Sequence, residues 1–494
     1  MQKIQDLINK ETSDSNNPFS HAVVGQEPAD GSSGVTPNNQ PLPLLPCYFF
    51  DFMIGTSTGG LVAILLGRLR MSIDDAIKSY WRLGNYIFYP GRQEVSPHFP
   101  YLLYDSKKLE RAIKETVWEH CDSHPRGTEC NPTTERLRQY DYAEEDDANC
   151  DSDPSRQNYT CKVAVVAQKR TKLGQMPHLF RSYNHSTRAH VRNDYNPDGD
   201  MTNSAGGKVT IVEACRATSA SPLHFKRMKI YPDTFIDGGA GHNNPSKIAW
   251  NEALYMSHLK DATQRDVAAL ISLGCGEKRE EGHNNFKGLL KTLTRSVAEI
   301  SATHHVHDYM ETICDNAQIR TPYFRFNVTS PSSSSSSSSR KGLSDIGLAE
   351  CKKETKKGIR KAGRDARRKV FNKKTNSWPS SNQPPRPKPE WYVTLQRQAQ
   401  QQSEESGKQQ TKGAFRPDKY DYTTFDTIFE RTEEYCTSTD KGNGHGGSVV
   451  DRIDQCAELL LRYARLRAID RERWRRFISH PDPYHPLYIV RDDD

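Results

Sequence analysis

A serine held between glycines is the first group in this sequence whose type and spacing could do chemistry. The stretch Gly-Thr-Ser-Thr-Gly fits the pattern G-x-S-x-G, in which a sharp turn from strand to helix exposes the hydroxyl of Ser57. The pentapeptide alone is a weak signal, because glycine and serine are common. An apolar run before it and a helix-like run after it favour a nucleophile over a plain turn. The turn would consist of Gly55, Thr58, Gly59 and Gly60, with the Thr58 amide facing a developing oxyanion.

A nucleophilic serine needs a base, and three residues are candidates. Asp237 ends a short apolar strand and is followed by Gly238 and Gly239. Active-site groups of α/β folds lie at the carboxyl ends of strands, although an aspartate that merely caps a turn is the commoner outcome of this pattern alone. His224 and His242 are the histidine candidates, and a Ser–Asp–His triad that uses His242 stays open at this point.

The elements that must position these residues alternate between strands and helices. Apolar runs predict buried strands at 47–54, 162–168, 234–236 and 267–273. Helical patterns are found at 61–70, 72–80, 212–220 and 449–467. Strands without polar alternation are typical of a largely parallel sheet that is covered on both faces. The sequence therefore predicts an α/β fold with a mostly parallel central sheet.

Other stretches are too polar or too repetitive for a packed core. Hydrophobic residues make up 34% of the chain and charged residues 27%. The predicted unpacked stretches are polar loops at 12–45 and 121–158, a serine tract at 332–339, and a basic, then Pro- and Gln-rich linker at 356–430.

A basic segment at 340–374 stands apart from the rest of the sequence. It contains 14 Lys and Arg against 4 Asp and Glu, whereas the net charge of the whole chain is +7. The plain interpretation is a solvated linker. Alternatives are contact with anionic lipid headgroups, or a nuclear-localisation or nucleic-acid patch. We expect a peripheral membrane surface as a partner of this segment, and no nucleic acid.

The cysteines and the apolar runs indicate a cellular compartment. There are 11 cysteines, none in a CxxC pair or with zinc-site spacing, and several lie in apolar elements. No apolar run approaches the roughly 18 residues of a membrane span, and the N-terminal residues lack the apolar core of a signal peptide. We therefore expect a cytoplasmic protein with reduced thiols, peripheral on intracellular membranes, without a transmembrane segment or signal peptide.

Several blocks together resemble the patatin-like phospholipases, in the calcium-independent phospholipase A2-like branch found in fungi. The nucleophile region at 48–80 carries the resemblance first. The other blocks are Glu213–Ala220, Phe235–Gly239, Asn243–Pro245 and Leu273–Gly276. The resemblance covers about residues 46–355, with the helix at 449–467 as its C-terminal end. Each block alone would be unspecific, but their combination is specific.

The resemblance implies a fold and a mechanism. The fold would be the three-layer patatin-like architecture, with an acyl-hydrolase domain at 1–355, the linker at 356–430 and a C-terminal helical segment at 431–494. Ser57 would attack an acyl ester of a glycerophospholipid or related lipid. Asp237 would accept the serine proton and later activate water, so that a Ser–Asp dyad acts without a histidine, metal or cofactor. The activity would be that of a phospholipase A2-like carboxylic-ester hydrolase.

One part of the family pattern is missing from the sequence. The resemblance implies a first strand followed by a D-G-G-G-x-R-G loop that forms the oxyanion hole. The stretch Asp30–Gly34 lacks the consecutive glycines and the arginine, and Met1–Lys10 resembles the helix that follows such a loop. We expect a chain that starts downstream of the loop, either truncated or a relative without it. Loss of one oxyanion donor typically lowers turnover by about 10²–10³, so the alternative is an impaired protein with a lipid-binding or regulatory role.

Overall fold

The computed structural model describes fourteen stretches of the chain. They are residues 1–13, 44–88, 93–95, 102–121, 131–137, 161–172, 174–183, 209–222, 224–256, 267–276, 297–316, 320–328, 422–438 and 447–469. Most of the loops predicted at 12–45 and 121–158 lie outside these residues, as do the serine tract at 332–339 and the basic segment at 340–374. The linker predicted at 356–430 lies outside them up to residue 421, and a helix then begins at Tyr422.

Helices and strands alternate along the described residues. The helices are α1 (Gln2–Ser13), α2 (Thr58–Ala63), α3 (Ile73–Phe88), α4 (Ser106–His120), α5 (Ile211–Thr218), α6 (Ser246–Met256), α7 (Val297–Cys314), α8 (Tyr422–Cys436) and α9 (Val449–Ala468). The strands are β1 (Phe52–Thr56), β2 (Gln93–Val95), β3 (Leu102–Tyr104), β4 (Lys162–Thr171), β5 (Gly174–Arg181), β6 (Met228–Ile230), β7 (Asp233–Asp237), β8 (Leu270–Leu273) and β9 (Tyr323–Phe326). A π-helical turn, Ile64–Arg68, extends α2.

Strand β4 is the centre of a five-stranded sheet. β1 pairs with β4 in parallel, from Phe52 opposite Lys162 to Thr56 opposite Val166. β5 runs antiparallel along the other edge of β4, and β7 is antiparallel to both β4 and β6. The two-stranded sheets pair β2 with β3 in antiparallel and β8 with β9 in parallel.

The predicted α/β class is confirmed, and the strand pairing is mixed. The expected parallel arrangement joins β1 to β4 and β8 to β9, whereas the β4–β5 and β6–β7 hairpins are antiparallel. An uninterrupted apolar run shows that both faces of a strand are buried. It does not reveal the direction of the neighbouring strand, which depends on the connection between the two.

Strands β1 and β7 lie along the same edge of β4 and point towards each other. The pairing of β1 ends with Thr56 opposite Val166, and the pairing of β7 ends with Asp237 opposite Ala167, the next residue of β4. The carboxyl ends of the two strands therefore meet. Asp237 lies at a strand end as expected, but it arrives on an antiparallel strand from the opposite side.

Helices pack on both faces of β4. Val163, Val165 and Ala167 enter the main core, together with apolar residues of α2, α3, α4 and α5. Val166 points to the opposite face, where it packs with Leu179 of β5 and Ile248 of α6. Alternate side chains of one strand thus bury two helical layers, as the expected three-layer arrangement requires.

A second core joins the first and last described helices. Ile4 and Ile8 of α1 pack with Leu461 and Ala464 of α9, and Cys161 at the start of β4 belongs to the same cluster. The Arg467 guanidinium donates to the Tyr48 carbonyl at 2.9 Å and to Asp51 Oδ2 at 3.0 Å. Helix α9 is therefore attached to the segment that leads into β1.

Some predicted element boundaries were wrong. The strand predicted at 47–54 begins only at Phe52, because Pro46–Tyr48 forms a turn of 3₁₀ helix with proline at its first position. The turn predicted from Gly55 is shorter, since Gly55 and Thr56 belong to β1. The strand predicted at 267–273 is formed by Leu270–Leu273 alone.

The predicted helices fit the structure more closely. Helix α3 follows Ser72, whose hydroxyl accepts from the Asp75 amide at 3.1 Å, as an N-cap does. Helix α9 spans the pattern predicted at 449–467 and begins with a capping box between Ser448 and Asp451. Among the helices that the structure describes, none combines the length and the apolar character that crossing a bilayer requires.

Candidate active site

Ser57 occupies a strained turn between β1 and α2. Its φ of 55° and ψ of −123° lie in a region that non-glycine residues rarely adopt. The turn closes with the amides of Gly60 and Leu61 donating to the Ser57 carbonyl at 3.0 and 3.2 Å. This is the sharp strand-to-helix turn that the G-x-S-x-G pattern predicts, and it leaves the Ser57 side chain partly exposed.

Ser57 and Asp237 are 180 residues apart in sequence and directly hydrogen bonded. Ser57 Oγ donates to Asp237 Oδ2 at 2.5 Å. The other carboxylate oxygen, Oδ1, accepts from the Gly239 amide at 2.7 Å. The Asp237 amide donates to the Ala220 carbonyl at 3.1 Å, and the residue is 5% exposed. The carboxylate is thus fixed in place beside the hydroxyl of a half-buried serine.

Thr218, the last residue of α5, fixes the serine backbone. Its hydroxyl accepts from the Ser57 amide at 2.9 Å and donates to the Val166 carbonyl at 2.7 Å. Its side chain is completely buried. Thr218 therefore links the turn around Ser57 to the point of β4 where β1 and β7 meet. Sequence reasoning did not single out Thr218, although it lies within the block Glu213–Ala220 that carried the family resemblance.

The glycines around the site serve different purposes. A Cβ atom on Gly55 would lie 2.0 Å from the Gly59 carbonyl oxygen, and one on Gly238 would lie 2.4 Å from the Val166 carbonyl oxygen. A Cβ on Gly60 would meet the Thr218 side chain at 2.9 Å. Gly59, by contrast, has no atom within 4 Å of that position. Backbone therefore passes closely at Gly55 and Gly238, and a side chain passes closely at Gly60.

The two histidine candidates are engaged elsewhere. His242 Nδ1 lies 2.9 Å from Gln168 Nε2, and because that amide nitrogen can only donate, the neutral ring carries its proton on Nε2. Burial lowers the pKa of His242. The His224 ring stacks on Tyr104. Ser57 Oγ thus faces the Asp237 carboxylate directly, whereas His242 Nδ1 faces Gln168.

The stretch that follows Asp237 is nevertheless anchored to β1 through His242. Thr56 Oγ1, one residue before the serine, donates to the His242 carbonyl at 2.8 Å. Together with the Gln168 contact, this bond anchors the stretch that follows Asp237 to β1 and to β4. His242, Thr56 and Gln168 are therefore structural supports of the pair, which no spacing in the sequence indicated.

The first amides of α2 face the space beside Ser57. Within the described residues, no acceptor is found for the amides of Thr58 and Gly59, and both residues are exposed. The Ser57 amide, in contrast, is taken by Thr218. Burial raises the pKa of Tyr80, whose hydroxyl contacts the Thr58 side chain, and nearby Cys275 contributes to the rise. Tyr80 and Cys275 thus border the site on the side of Thr58.

The geometry brings all the predicted site residues together. Asp237 lies in position to accept the Ser57 proton, and the amides of Thr58 and Gly59 can donate to a negative oxygen formed next to Ser57. Gly238 lies against the Val166 carbonyl of β4, and the Gly239 amide donates to the Asp237 carboxylate. Such an arrangement can carry out acyl transfer through a covalent serine ester.

Known proteins resemble the chain over this same region. The family model described as "Patatin-like phospholipase" matches residues 40–250. Calcium-independent phospholipase A2-gamma of Mus musculus is 24% identical over 286 residues, which cover 56% of this chain and 30% of the mouse protein. The human protein of the same name is 24% identical over 284 residues, with the same coverage. Phospholipase A I of Arabidopsis thaliana is 23% identical over 302 residues, 22% of its length.

These similarities are low in identity but coincide with the site. The chain spans less than a third of the length of these curated relatives. The matched residues include β1, Ser57, α5, Thr218 and Asp237. From residue 40 to residue 250, the chain carries a patatin-like phospholipase domain.

Proposed function

We propose that this protein is a lipid acyl hydrolase of the phospholipase A type, which cleaves acyl esters of glycerophospholipids or related lipids. The observation that carries the proposal is the 2.5 Å hydrogen bond from Ser57 Oγ to Asp237 Oδ2, in a turn of strained geometry. The family match over residues 40–250 gives the substrate class. The names of the relatives in mouse, human and Arabidopsis indicate phospholipids.

Acylation would begin with attack of Ser57 Oγ on the ester carbonyl carbon. The hydroxyl proton moves to Asp237 Oδ2, the atom it already faces, as the new C–O bond forms. The carbonyl oxygen becomes an oxyanion next to the first amides of α2, those of Thr58 and Gly59. The tetrahedral intermediate then collapses, the bond to the lipid alcohol breaks, and Asp237 returns the proton to the leaving oxygen.

Deacylation would reuse the same groups with water as the nucleophile. Asp237 accepts a proton from a water molecule, which attacks the acyl-serine carbonyl, and the fatty acid leaves as Ser57 recovers its proton. The Gly239 amide and the loop contacts of Thr56 hold the carboxylate in place through both steps. This mechanism needs no cofactor or metal ion. We place the reaction in the cytoplasm, at the surface of intracellular membranes.

A second candidate function follows from the number of oxyanion donors. Thr218 occupies the Ser57 amide, so that only two amides of the described residues face the site. The sequence also contains no D-G-G-G-x-R-G stretch. A protein with this site but too few donors would bind acyl lipids with little turnover, and would act as a lipid-binding or regulatory module.

The first prediction is that a fluorophosphonate probe labels Ser57. Ser57→Ala should abolish labelling and lower hydrolysis of a short-chain ester and of a phospholipid by at least about 10³-fold. Asp237→Asn should lower both hydrolysis rates to a similar extent, because the amide cannot accept the proton. Peptide mass spectrometry identifies the labelled residue, and calorimetry checks that the variants stay folded.

Ser221→Ala is the matched control, since Ser221 is another partly exposed serine near the site and lies outside the turn. It should keep both labelling and turnover. Labelling that persists in Ser57→Ala would refute the proposal. An unlabelled, inactive protein that still binds phospholipid vesicles would favour the second function.

A further inference from the structure

We propose that the paired tips of the β4–β5 and β6–β7 hairpins form the surface with which this protein docks on an anionic lipid bilayer. We name this surface, residues 169–172, 174–176 and 226–233, the hairpin platform. The proposal rests on the proposed function, because an enzyme that cleaves membrane lipids has to reach a membrane. It concerns a different part of the chain from the basic segment at 340–374, which lies outside the described residues.

The two hairpins stand side by side at one end of the sheet. β4 lies between β5 and β7, and the last pair of the first hairpin is Thr171 opposite Gly174. The second hairpin ends with Ile230 opposite Asp233, towards the same end. A salt bridge of 3.1 Å between Lys169 Nζ and Asp233 Oδ2 connects the two hairpins. The tips therefore form one continuous surface.

This surface is strongly basic. Its exposed charged residues are Arg170, Lys172, Lys226, Arg227 and Lys229. Asp233 is the single acidic residue within the sequence of the hairpin platform, and it is half-buried in the salt bridge with Lys169. Several cations held on rigid strands, with one neutralised carboxylate, are complementary to a layer of anionic headgroups.

Apolar side chains are exposed on the same surface. Tyr231, in the turn between β6 and β7, is 95% exposed, which is the highest value among the exposed large hydrophobic residues of the described part of the chain. Met176, at the base of the other tip, is 37% exposed. Tyrosine has an apolar ring and a polar hydroxyl and is enriched at the boundary between headgroups and acyl chains. A surface that binds nucleic acid or protein through charge alone would not need these residues.

Strand β4 connects the dyad directly to the hairpin platform. Asp237 pairs with Ala167, and β4 continues past that residue to Thr171 before it turns. Four residues of extended strand span about 13 Å, so the tips stand roughly that far beyond Ser57 and Asp237. A bilayer that rests on the tips would therefore lie within about the length of four strand residues of the dyad.

A second exposed apolar surface lies at the end of the sheet opposite the hairpin platform. Leu466 of α9 and Ile469, which follows the helix, are 51% and 60% exposed, with Arg462 beside them. However, the neighbouring Arg467 binds Asp51, which precedes the first residue of β1. That end of the sheet is opposite the hairpin platform, so one flat bilayer cannot contact both surfaces at once.

The test measures binding of the full chain to vesicles, with Ser57→Ala present so that no lipid is consumed. Vesicles of phosphatidylcholine alone are compared with vesicles that also contain phosphatidylglycerol, by co-sedimentation. Arg170→Gln with Lys172→Gln, and separately Arg227→Gln with Lys229→Gln, should each weaken binding to the anionic vesicles by about 30-fold. Added salt should weaken binding of the unmodified surface and remove most of the difference.

The charge-matched control is Lys3→Gln with Arg462→Gln, which removes two positive charges from α1 and α9. It should bind anionic vesicles within about twofold of the parent chain, because those residues lie away from the platform. Equal losses in the control and in the platform variants would overturn the proposal, and so would unchanged binding in the platform variants. Binding of the platform to an oligonucleotide but not to vesicles would also overturn it.

A second readout separates this proposal from the proposed function. With Ser57 restored, the platform variants should hydrolyse a soluble short-chain ester at the parental rate and lose activity only on anionic vesicles. If Ser57→Ala leaves ester hydrolysis unchanged while vesicle binding still depends on the platform, the dyad assignment fails and the docking surface stands. If Ser57 is essential but the platform variants attack vesicles at the parental rate, the docking surface fails alone.

Discussion

At the scale of single residues, Thr218 shows how Ser57 is kept in an unfavourable backbone conformation. A φ of 55° at Ser57 persists only if surrounding contacts compensate for it. The Thr218 hydroxyl provides one such contact by accepting from the Ser57 amide while it donates to Val166. Neither bond involves the reacting atoms. Thr218 is therefore a positioning residue whose removal should affect the rate more than the binding of substrate.

We predict that Thr218→Val lowers kcat by on the order of 10²-fold with little change in KM, because a small displacement of Ser57 disturbs the geometry of attack. The free energy of unfolding should fall by about 1–3 kcal/mol, since a buried amide and a buried carbonyl lose their partner. Thr218→Ser keeps the hydroxyl and should retain most of the activity. Steady-state kinetics and urea unfolding of both variants test this, and equal losses in the two would contradict the hydrogen-bond role.

A pH dependence should arise from His242, whose pKa is lowered by burial. The unfolded chain then binds a proton that the folded chain excludes, so stability is complete above the ordinary histidine pKa of about 6.5 and falls as the pH drops below it. Protonation would also place a second donor against Gln168 Nε2. We predict that His242→Gln shows a shallower fall in melting temperature between neutral and acidic pH than the parent. Parallel curves for the two proteins would exclude His242 as the cause.

The sequence anticipated the chemical residues better than their supports. Ser57 and the glycines around it stood out because their types and order follow a pattern with a mechanical reason, whereas Asp237 was favoured only by the family resemblance. The roles of Thr218 and Gln168 depend on contacts across 161 and 74 residues of sequence. Threonine and glutamine occur in many surroundings, so nothing local distinguishes these two from others.

At the scale of elements, the site depends on how closely β1, α2 and β4 approach one another. The backbone of Gly55 lies under the Gly59 carbonyl, where no side chain fits. The directions of the strands could not be predicted from the sequence either. An apolar run such as 162–168 reports burial, whereas the antiparallel arrival of β7 is set by the connections and by pairing between distant residues.

Two glycine substitutions separate the packing role of the turn from its sequence pattern. Gly55→Ala should destabilise the protein by about 3 kcal/mol or more, because the new Cβ would have to displace backbone. Gly59→Ala should change stability by less than about 1 kcal/mol, since its Cβ would point into open space. Both belong to G-x-S-x-G. Thermal unfolding of the two variants tests this distinction. Equal decreases in their melting temperatures would contradict it.

At the scale of the whole molecule, the C-terminal helix is packed as part of the catalytic body. Ala464 of α9 is completely buried against α1, and Arg467 reaches the carbonyl of Tyr48. The sequence predicted α9 from its apolar period, and assigned it to a separate segment at 431–494. Its docking on α1 joins the two ends of the described chain, which only the folded arrangement reveals. We propose that the fold is one cooperative unit from α1 to α9.

Ala464→Asp should therefore destabilise the catalytic domain, although the residue is far from Ser57 in sequence. A buried, unpaired carboxylate typically lowers stability by several kcal/mol, about 3–5 here. Leu466→Asp on the same helix is the control, because Leu466 is 51% exposed. We expect ester hydrolysis and circular dichroism to be lost together at one lowered melting temperature in Ala464→Asp alone. Activity that outlasts the unfolding of α9 would show two independent units.

Because β1 and β7 meet end to end, the length of each strand sets the distance between Ser57 and Asp237. The pairing of β1 with β4 ends at Val166, and the pairing of β7 with β4 ends at the next residue, Ala167. The separation of the Ser57 hydroxyl and the Asp237 carboxylate is therefore fixed by where each strand stops. Inserting or deleting one residue inside either strand would displace its tip by about 3.4 Å, more than a hydrogen bond tolerates. The loops that connect these elements are free of this restriction. Such a chain can acquire long and variable insertions in its loops without altering its chemistry, provided that β1, β4, β7 and the helix that carries Thr218 keep their lengths.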